Sequence, residues 1–145
     1  MKVITHHKYP TGAPSIVNVS LEKLLRDSDV VSLHVPLNES TKGIINEVSL
    51  GFMKKSSILI NTGRGPLIVE KDLYNALRRS TIRAAALDVM SVEPPNLENP
   101  LLKLSNCYIT PHIAWAGKQA RQNLMNELVQ NVQVFIKGSI RNKIN

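Results

Sequence analysis

Cysteine, aromatic residues and long apolar runs are all scarce in this sequence of 145 residues. The one cysteine, Cys107, excludes an internal disulfide and points to a reducing compartment. No stretch approaches the ~18 apolar residues of a membrane-spanning helix. The opening residues, Met1-Lys-Val-Ile-Thr-His-His7, lack the apolar core of a secretory signal. Aromatic side chains are 4% of the chain, too few for the stacking platforms that hold single-stranded nucleic acid. The formal charge is +7, yet its basic residues are dispersed (Lys54-Lys55, Arg78-Arg79, Arg83, Lys118, Arg121, Lys137, Arg141), with no basic tail. That pattern suits solvated faces and attraction for a small anion, not nucleic acid. His6 and His7 stand without a surrounding ligand cluster, so no metal site is read there.

What remains is a globular pattern in which strands alternate with helices. Lys2–Thr5 reads as a short strand, Tyr9–Gly12 as a turn and Ile16–Val19 as a second strand. Ser20 can cap a helix over Leu21–Arg26, whose Leu21, Leu24 and Leu25 share one face. Asp29–Val35 is a stronger strand that Pro36 stops. Asn46 can cap a short helix before the strand Ser57–Asn61. A helix over Glu70–Arg79, a strand over Ala84–Val89, a packed turn at Leu101–Leu104 and a strand over Cys107–Thr110 follow. A long helix runs from Lys118 to Lys137, with Gly138 as its stop and Ile140–Asn145 as a tail. Such βα units build a parallel sheet, and Val/Ile/Leu/Ala runs suit strands covered on both faces. The expected fold class is α/β, a doubly wound sheet of the Rossmann type.

One part of that fold is missing. A dinucleotide-binding sheet starts with a strand and a G-x-G-x-x-G loop at a helix N-terminus. The only G-x-G here is Gly63-Arg64-Gly65, after a later strand, and position 68 is Ile. The sheet is therefore read as partial, without its first strand and glycine loop, and no residue is assigned to phosphate. Three strand ends carry chemistry instead: Arg64 after Ser57–Asn61, Asp88 and Glu93 after Ala84–Val89, and His112 after Cys107–Thr110. Ligands bind at the carboxyl ends of such strands. Taken alone, each of these side chains also reads as a solvated turn, cap or strand-end residue, and Cys107 as core.

Five stretches carry a resemblance. They are Ser32-Leu-His-Val-Pro-Leu37, Ile60-Asn-Thr-Gly-Arg-Gly-Pro-Leu67, Ala86-Leu-Asp-Val89 with Glu93-Pro-Pro95, Asn99-Pro-Leu-Leu102 and Ile109-Thr-Pro-His-Ile-Ala-Trp115. In that order they resemble the D-isomer-specific 2-hydroxyacid dehydrogenases, most of all the glycerate dehydrogenase (hydroxypyruvate reductase) branch. The resemblance implies an oxidoreductase moving hydride between NAD or NADP and a small 2-oxo or 2-hydroxy acid. It implies a cytoplasmic protein, dimeric through the Rossmann domain. Residues 1–116 match an incomplete NAD(P)-binding domain. Residues 117–145 match a helix and tail that return to a substrate domain not represented here. The expected protein is the C-terminal portion of such an enzyme, inactive alone.

The family's roles fall on named positions. Arg64 matches the arginine that grips the substrate carboxylate, where a planar guanidinium can make two hydrogen bonds. His112 matches the general acid/base, and Glu93 the carboxylate that orients it. Val35, Pro36, Thr41, Thr62, Gly63, Arg64, Asp88, His112 and Ala114 match positions lining the dinucleotide. His7, with Lys8 after it, stands where the family often has a ribose-binding acid, which favours NADP. The alternative is a non-catalytic remnant, a corepressor-like interaction or oligomerisation module. A sheet without its first strand would also leave edges open. Lys2–Thr5 would then shift beside Val30–Val35, or another chain would fill the slot.

Overall fold

The computed structural model describes residues 2–7 and 17–143. Lys8, the Tyr9–Gly12 turn, Ile16 and the end of the tail lie outside the described residues. The chain divides into two compact units, residues 1–111 and 112–145.

The first unit is built on a parallel four-stranded sheet of order β3-β4-β5-β6. Its strands are β3 (Val30–Leu33), β4 (Ile58–Asn61), β5 (Ala84–Leu87) and β6 (Cys107–Ile109). Leu59 and Ala85 are fully buried neighbours across the β4–β5 ladder. Cover on both faces holds best at central β5, whereas the edge strands β3 and β6 leave Val30 and Tyr108 exposed, against the expectation of strands covered on both faces. Strand β3 is shorter than the sequence suggests. Its ladder ends where Leu33 pairs with Asn61, before Pro36 is reached.

Local sequence explains the helices. In α1 (Leu21–Asp27) the Ser20 hydroxyl accepts from the Lys23 amide, and Leu25 turns into the core. In α2 (Glu47–Phe52) Asn46 and Ser49 form a reciprocal capping box. Helix α3 (Glu70–Arg78) has no side-chain N-cap and is held by its buried stripe Leu73, Ala76 and Leu77. These side chains join Leu59, Leu67, Ile82 and Leu101 in one core.

The N-terminal segment departs from expectation. β1 (Ile4–Thr5) does not move beside β3. It pairs in parallel with β2 (Val17–Asn18), in register Ile4↔Val17, as a separate two-stranded sheet. The reason lies in the residues after the strand. Asn18 clamps the His7 backbone, its Oδ1 accepting from the amide at 2.9 Å and its Nδ2 donating to the carbonyl at 3.1 Å. The His6 ring nitrogen Nδ1 also meets the Val19 carbonyl at 3.0 Å.

The second unit opens at His112, whose φ of 55° lies in the left-handed region. Trp115 Nε1 donates to the His112 carbonyl at 2.9 Å. Helix α4 (Lys118–Ile136) follows, and the chain leaves it at Gly138, with φ 71°. The Arg141 guanidinium folds back onto Glu127 and Asn131. No residue of α4 is buried, and the stripe Leu124, Leu128, Val132 and Phe135 is exposed.

Candidate active site

The turn after β4 is fixed from inside. Asn61 is fully buried, an unusual place for an amide unless both its ends are satisfied. They are. Its Oδ1 accepts from the Gly63 amide at 3.0 Å, and its Nδ2 donates to the Arg64 carbonyl at 2.9 Å. This staple closes the turn in the manner of an Asx motif. A second restraint comes from packing. A Cβ on Gly65 would lie 2.0 Å from the Met90 carbonyl carbon, so the turn lies directly on the backbone after β5. At Gly63 a Cβ would meet only ordinary contacts of 3.4 Å or more. Lacing from the other side, the Gly43, Ile45 and Val69 amides donate across the segment to the Pro66, Leu67 and Ile45 carbonyls. The Arg64 side chain is exposed, and its Nη1 donates to the Gly63 carbonyl at 2.8 Å.

The end of β5 carries the next groups. The Asp88 amide donates to the Asn61 carbonyl at 2.9 Å, which sets Asp88 beside the turn. Its carboxylate is buried and accepts from the Thr110 hydroxyl, just past β6. Glu93 stands in the exposed loop beyond and accepts from the Met90 amide at 2.9 Å. Glu70, in the first turn of α3, accepts from the Ser91 amide at 2.7 Å and from Asn99 Nδ2 at 2.8 Å.

The other matched positions fall in three places. Val35 packs against the core, and Pro36 begins an exposed loop. Thr41 braces that loop, donating to the Pro36 carbonyl at 2.6 Å and accepting from the Asn38 amide at 2.9 Å. His7 follows β1 in the separate two-stranded sheet. His112 and Ala114 belong to the second unit. The structure thus gathers Thr62, Gly63, Arg64 and Asp88 at adjacent carboxyl ends of β4 and β5. Cys107 is set apart chemically. Burial, and secondarily the Glu70 charge, push its thiol up to about 11, so it is an inert group near neutral pH.

Three supporting residues are not found by sequence reasoning. Asn61 has a usable signal, since Asn two residues before Gly at a strand end is an Asx-turn pattern. Thr110 and Glu70 have none, because their partners lie 22 and 21 residues away in the chain.

These groups bear unequally on a dinucleotide. Asp88 places a buried carboxylate at the strand ends, where the Thr110 hydroxyl donates to it. A pyrophosphate needs clustered amides with open space in front of a helix. Gly63-Arg64-Gly65 does not offer this, because the Met90 backbone fills the space in front of Gly65.

Known proteins bear on the same question. Residues 1–114 match the family described as D-isomer specific 2-hydroxyacid dehydrogenase, NAD binding domain. A hydroxypyruvate reductase of Blautia hydrogenotrophica is 47% identical over 148 aligned residues, covering 100% of this chain and 46% of that protein. A glycerate dehydrogenase of Methylorubrum extorquens is 44% identical, covering 99% of this chain and 45% of that protein. Among solved structures, an acyclic imino acid reductase (Bsp5) in complex with NADPH and D-Arg superposes with a TM-score of 0.89 at 37% identity, covering 100% of this chain and 46% of that one. The NAD-complexed D-isomer specific 2-hydroxyacid dehydrogenase of Lactobacillus delbrueckii ssp. bulgaricus gives 0.87 at 30% identity, covering 99% and 48%. The chain spans about half the length of the curated relatives it matches. With its parallel sheet, the ordered motifs at the strand ends and this match, the chain belongs to the D-isomer specific 2-hydroxyacid dehydrogenase family, through that family's NAD-binding domain.

Proposed function

We propose that this chain carries the catalytic residues of an NAD(P)-dependent D-2-hydroxyacid dehydrogenase acting on a small 2-oxo acid, hydroxypyruvate or glyoxylate. The observation that carries the reading is the Asn61-stapled turn, which holds the Arg64 backbone at the carboxyl edge of the sheet beside Asp88. The Arg64 guanidinium rests on the Gly63 carbonyl, a bond that a substrate carboxylate can displace with two charge-assisted bonds. In this reading His112 gives a proton to the substrate carbonyl oxygen or takes it from the alcohol, and Glu93 orients its ring. Asp88 and the backbone of Thr62, Gly63 and Arg64 hold the nicotinamide end, with Val35, Pro36, Thr41, His112 and Ala114 lining it. The nicotinamide, when bound, supplies or accepts the hydride. His7 meets the adenosine ribose and favours NADP, since it does not repel a 2′-phosphate. No described residue cradles the pyrophosphate, so the chain alone turns over little or no substrate. Residues 1–116 form the incomplete NAD(P)-binding domain of a cytoplasmic homodimer, and residues 117–145 return to a substrate domain.

Two measurements test this. With hydroxypyruvate and NADPH, nicotinamide absorbance should stay near its background slope, and robust turnover would show that the missing cradle is dispensable. Titration with oxalate, followed by backbone NMR, should move Gly63 and Arg64 resonances in the native chain and not in Arg64→Ala. No movement in the native chain sinks the substrate-grip reading.

One observation favours a second reading, an interaction or oligomerisation module. No side chain of helix α4 is buried. Sedimentation of the native chain against Leu128→Glu separates the two. A native assembly that Leu128→Glu dissociates supports the module, and a concentration-independent monomer removes it.

A further inference from the structure

Two consecutive amides after β5, those of Met90 and Ser91, are divided between two carboxylates. Met90 donates to Glu93 at 2.9 Å and Ser91 to Glu70 at 2.7 Å. Glu70 also takes Asn99 Nδ2 on its other oxygen at 2.8 Å. It therefore grips both ends of the loop 91–99, with Glu93 between them. Asn99 passes the restraint on, since its Oδ1 accepts from the Leu101 amide at 3.0 Å at the start of a 3-10 turn whose Leu101 is fully buried. Helix α3 has no side-chain N-cap, yet the Glu70 carboxylate in its first turn is spent on the loop.

We propose that Glu70 is a positioning residue for Glu93: by holding the Ser91 amide it keeps that donor from Glu93, which takes the Met90 amide instead, and so sets which way the Glu93 carboxylate faces. This rests on the reading of Glu93 as the partner of His112. Without Glu70 the Ser91 N–H is a free donor one residue from the one Glu93 already holds, and a carboxylate can accept both. Glu93 would turn toward the pair of amides, and the loop would lose its tie to Asn99. A side chain that served only stability would change the melting temperature without re-aiming Glu93.

The test uses the full chain with isotope-labelled glutamate and backbone. In Glu70→Ala the Glu93 carboxylate carbon and the Met90 amide should both shift, while the melting temperature falls by a few degrees. Glu70→Gln keeps a carbonyl oxygen for the Ser91 amide and loses the acceptor for Asn99, so it should return Met90 and Glu93 to their native positions. Unmoved Met90 and Glu93 signals in Glu70→Ala overturn the proposal, and so does Glu70→Gln displacing them as far as Ala does. Should the alanine variant fail to fold, Glu70→Leu, which fills the space without an acceptor for the Ser91 amide, takes its place, with the same shifts of Met90 and Glu93 expected and unmoved signals overturning the proposal. Glu93→Gln checks the underlying reading separately. If it leaves the His112 ring resonances unchanged, the pairing of Glu93 with His112 fails, while the effect of Glu70 on Glu93 remains measurable.

Discussion

Residues 61–65 and residues 118–136 differ most in where their side chains go. The short turn has a buried amide bonded at both ends, a glycine laid against a neighbouring backbone and ladders on either side. The 19-residue helix α4 has none of these, and Phe135 is 81% exposed. Position is over-determined in the first and set in the second by helix bonding and by the contacts of Arg141 with Glu127 and Asn131. The contrast teaches where sequence change is costly. The largest effect is expected at Gly65. Gly65→Ala puts a methyl 2.0 Å from the Met90 carbonyl carbon, which only backbone movement relieves. A loss at or above the ~3 kcal/mol top of the usual overpacking range is expected in denaturant melts. Gly63→Ala is the control, since its methyl meets ordinary contacts and should cost under about 1 kcal/mol. Equal costs would erase the distinction between the two glycines.

Asn61 comes next. Asn61→Ala removes both bonds of the staple and leaves a small void. A loss of about 1–3 kcal/mol is expected from the unmet partners alone. Asn61→Asp keeps the acceptor for the Gly63 amide, but it loses the donor to Arg64 and buries a carboxylate against that carbonyl, so at neutral pH it should cost at least as much as Ala. An aspartate variant that falls between native and Ala would mean that the bond to the Gly63 amide outweighs the buried charge.

The same contrast explains what is legible in the sequence. Strands rich in Val, Ile, Leu and Ala announce themselves by their apolar runs. Yet β5 alone of the sheet's strands comes close to burial on both faces, and β3 alternates, with Val30 53% exposed. Ser20 and Asn46 mark helix starts, since a cap bonds an amide two or three residues away. The Arg64 turn and Asp88 are legible because both follow recognisable strands. The rest depends on distant partners. Nothing near Glu70 in the chain says that it reaches Ser91 and Asn99. Nothing near Lys2–Thr5 says that it stays with β2, because the clamp on His7 is Asn18, 11 residues further on. The end of β3 is overestimated for a related reason. The strand-like pattern runs on through His34 to Val35, whereas the ladder stops where its partner strand does, at Asn61.

A smaller effect should appear at high pH. Burial first, and the Glu70 charge second, raise the Cys107 thiol to about 11. A raised thiol binds its proton more tightly folded than unfolded. Its contribution to stability is therefore fully present below the ordinary thiol range and is lost as pH climbs from about 9 through 11. Cys107→Ser should flatten that part of the stability profile. Glu70→Gln, which removes the secondary cause, should end the decline at lower pH while leaving most of the shift in place. In keeping with a neutral thiol, alkylation of native Cys107 at pH 8 should be far slower than in the unfolded chain.

The smallest effect is expected on α4. Its stripe is exposed in the single chain, with Leu124 at 65% and Phe135 at 81%. Phe135→Ser therefore deletes almost no buried area and should change the stability of the first unit's sheet by no more than about 0.5 kcal/mol, the usual range for surface substitutions. Helix content is the sharper readout, because most helical stability in proteins comes from packing of an apolar face, and the stripe of α4 is exposed. Far-ultraviolet dichroism that stays unchanged on dilution, in both native chain and variant, would mean that local bonding and the Arg141 contacts with Glu127 and Asn131 suffice for α4. A helical signal that fades on dilution, and fades sooner in Phe135→Ser, would mean that the exposed stripe is normally covered by another chain. The two regions would then differ in where their packing comes from, the turn drawing it from within the unit and the helix from outside.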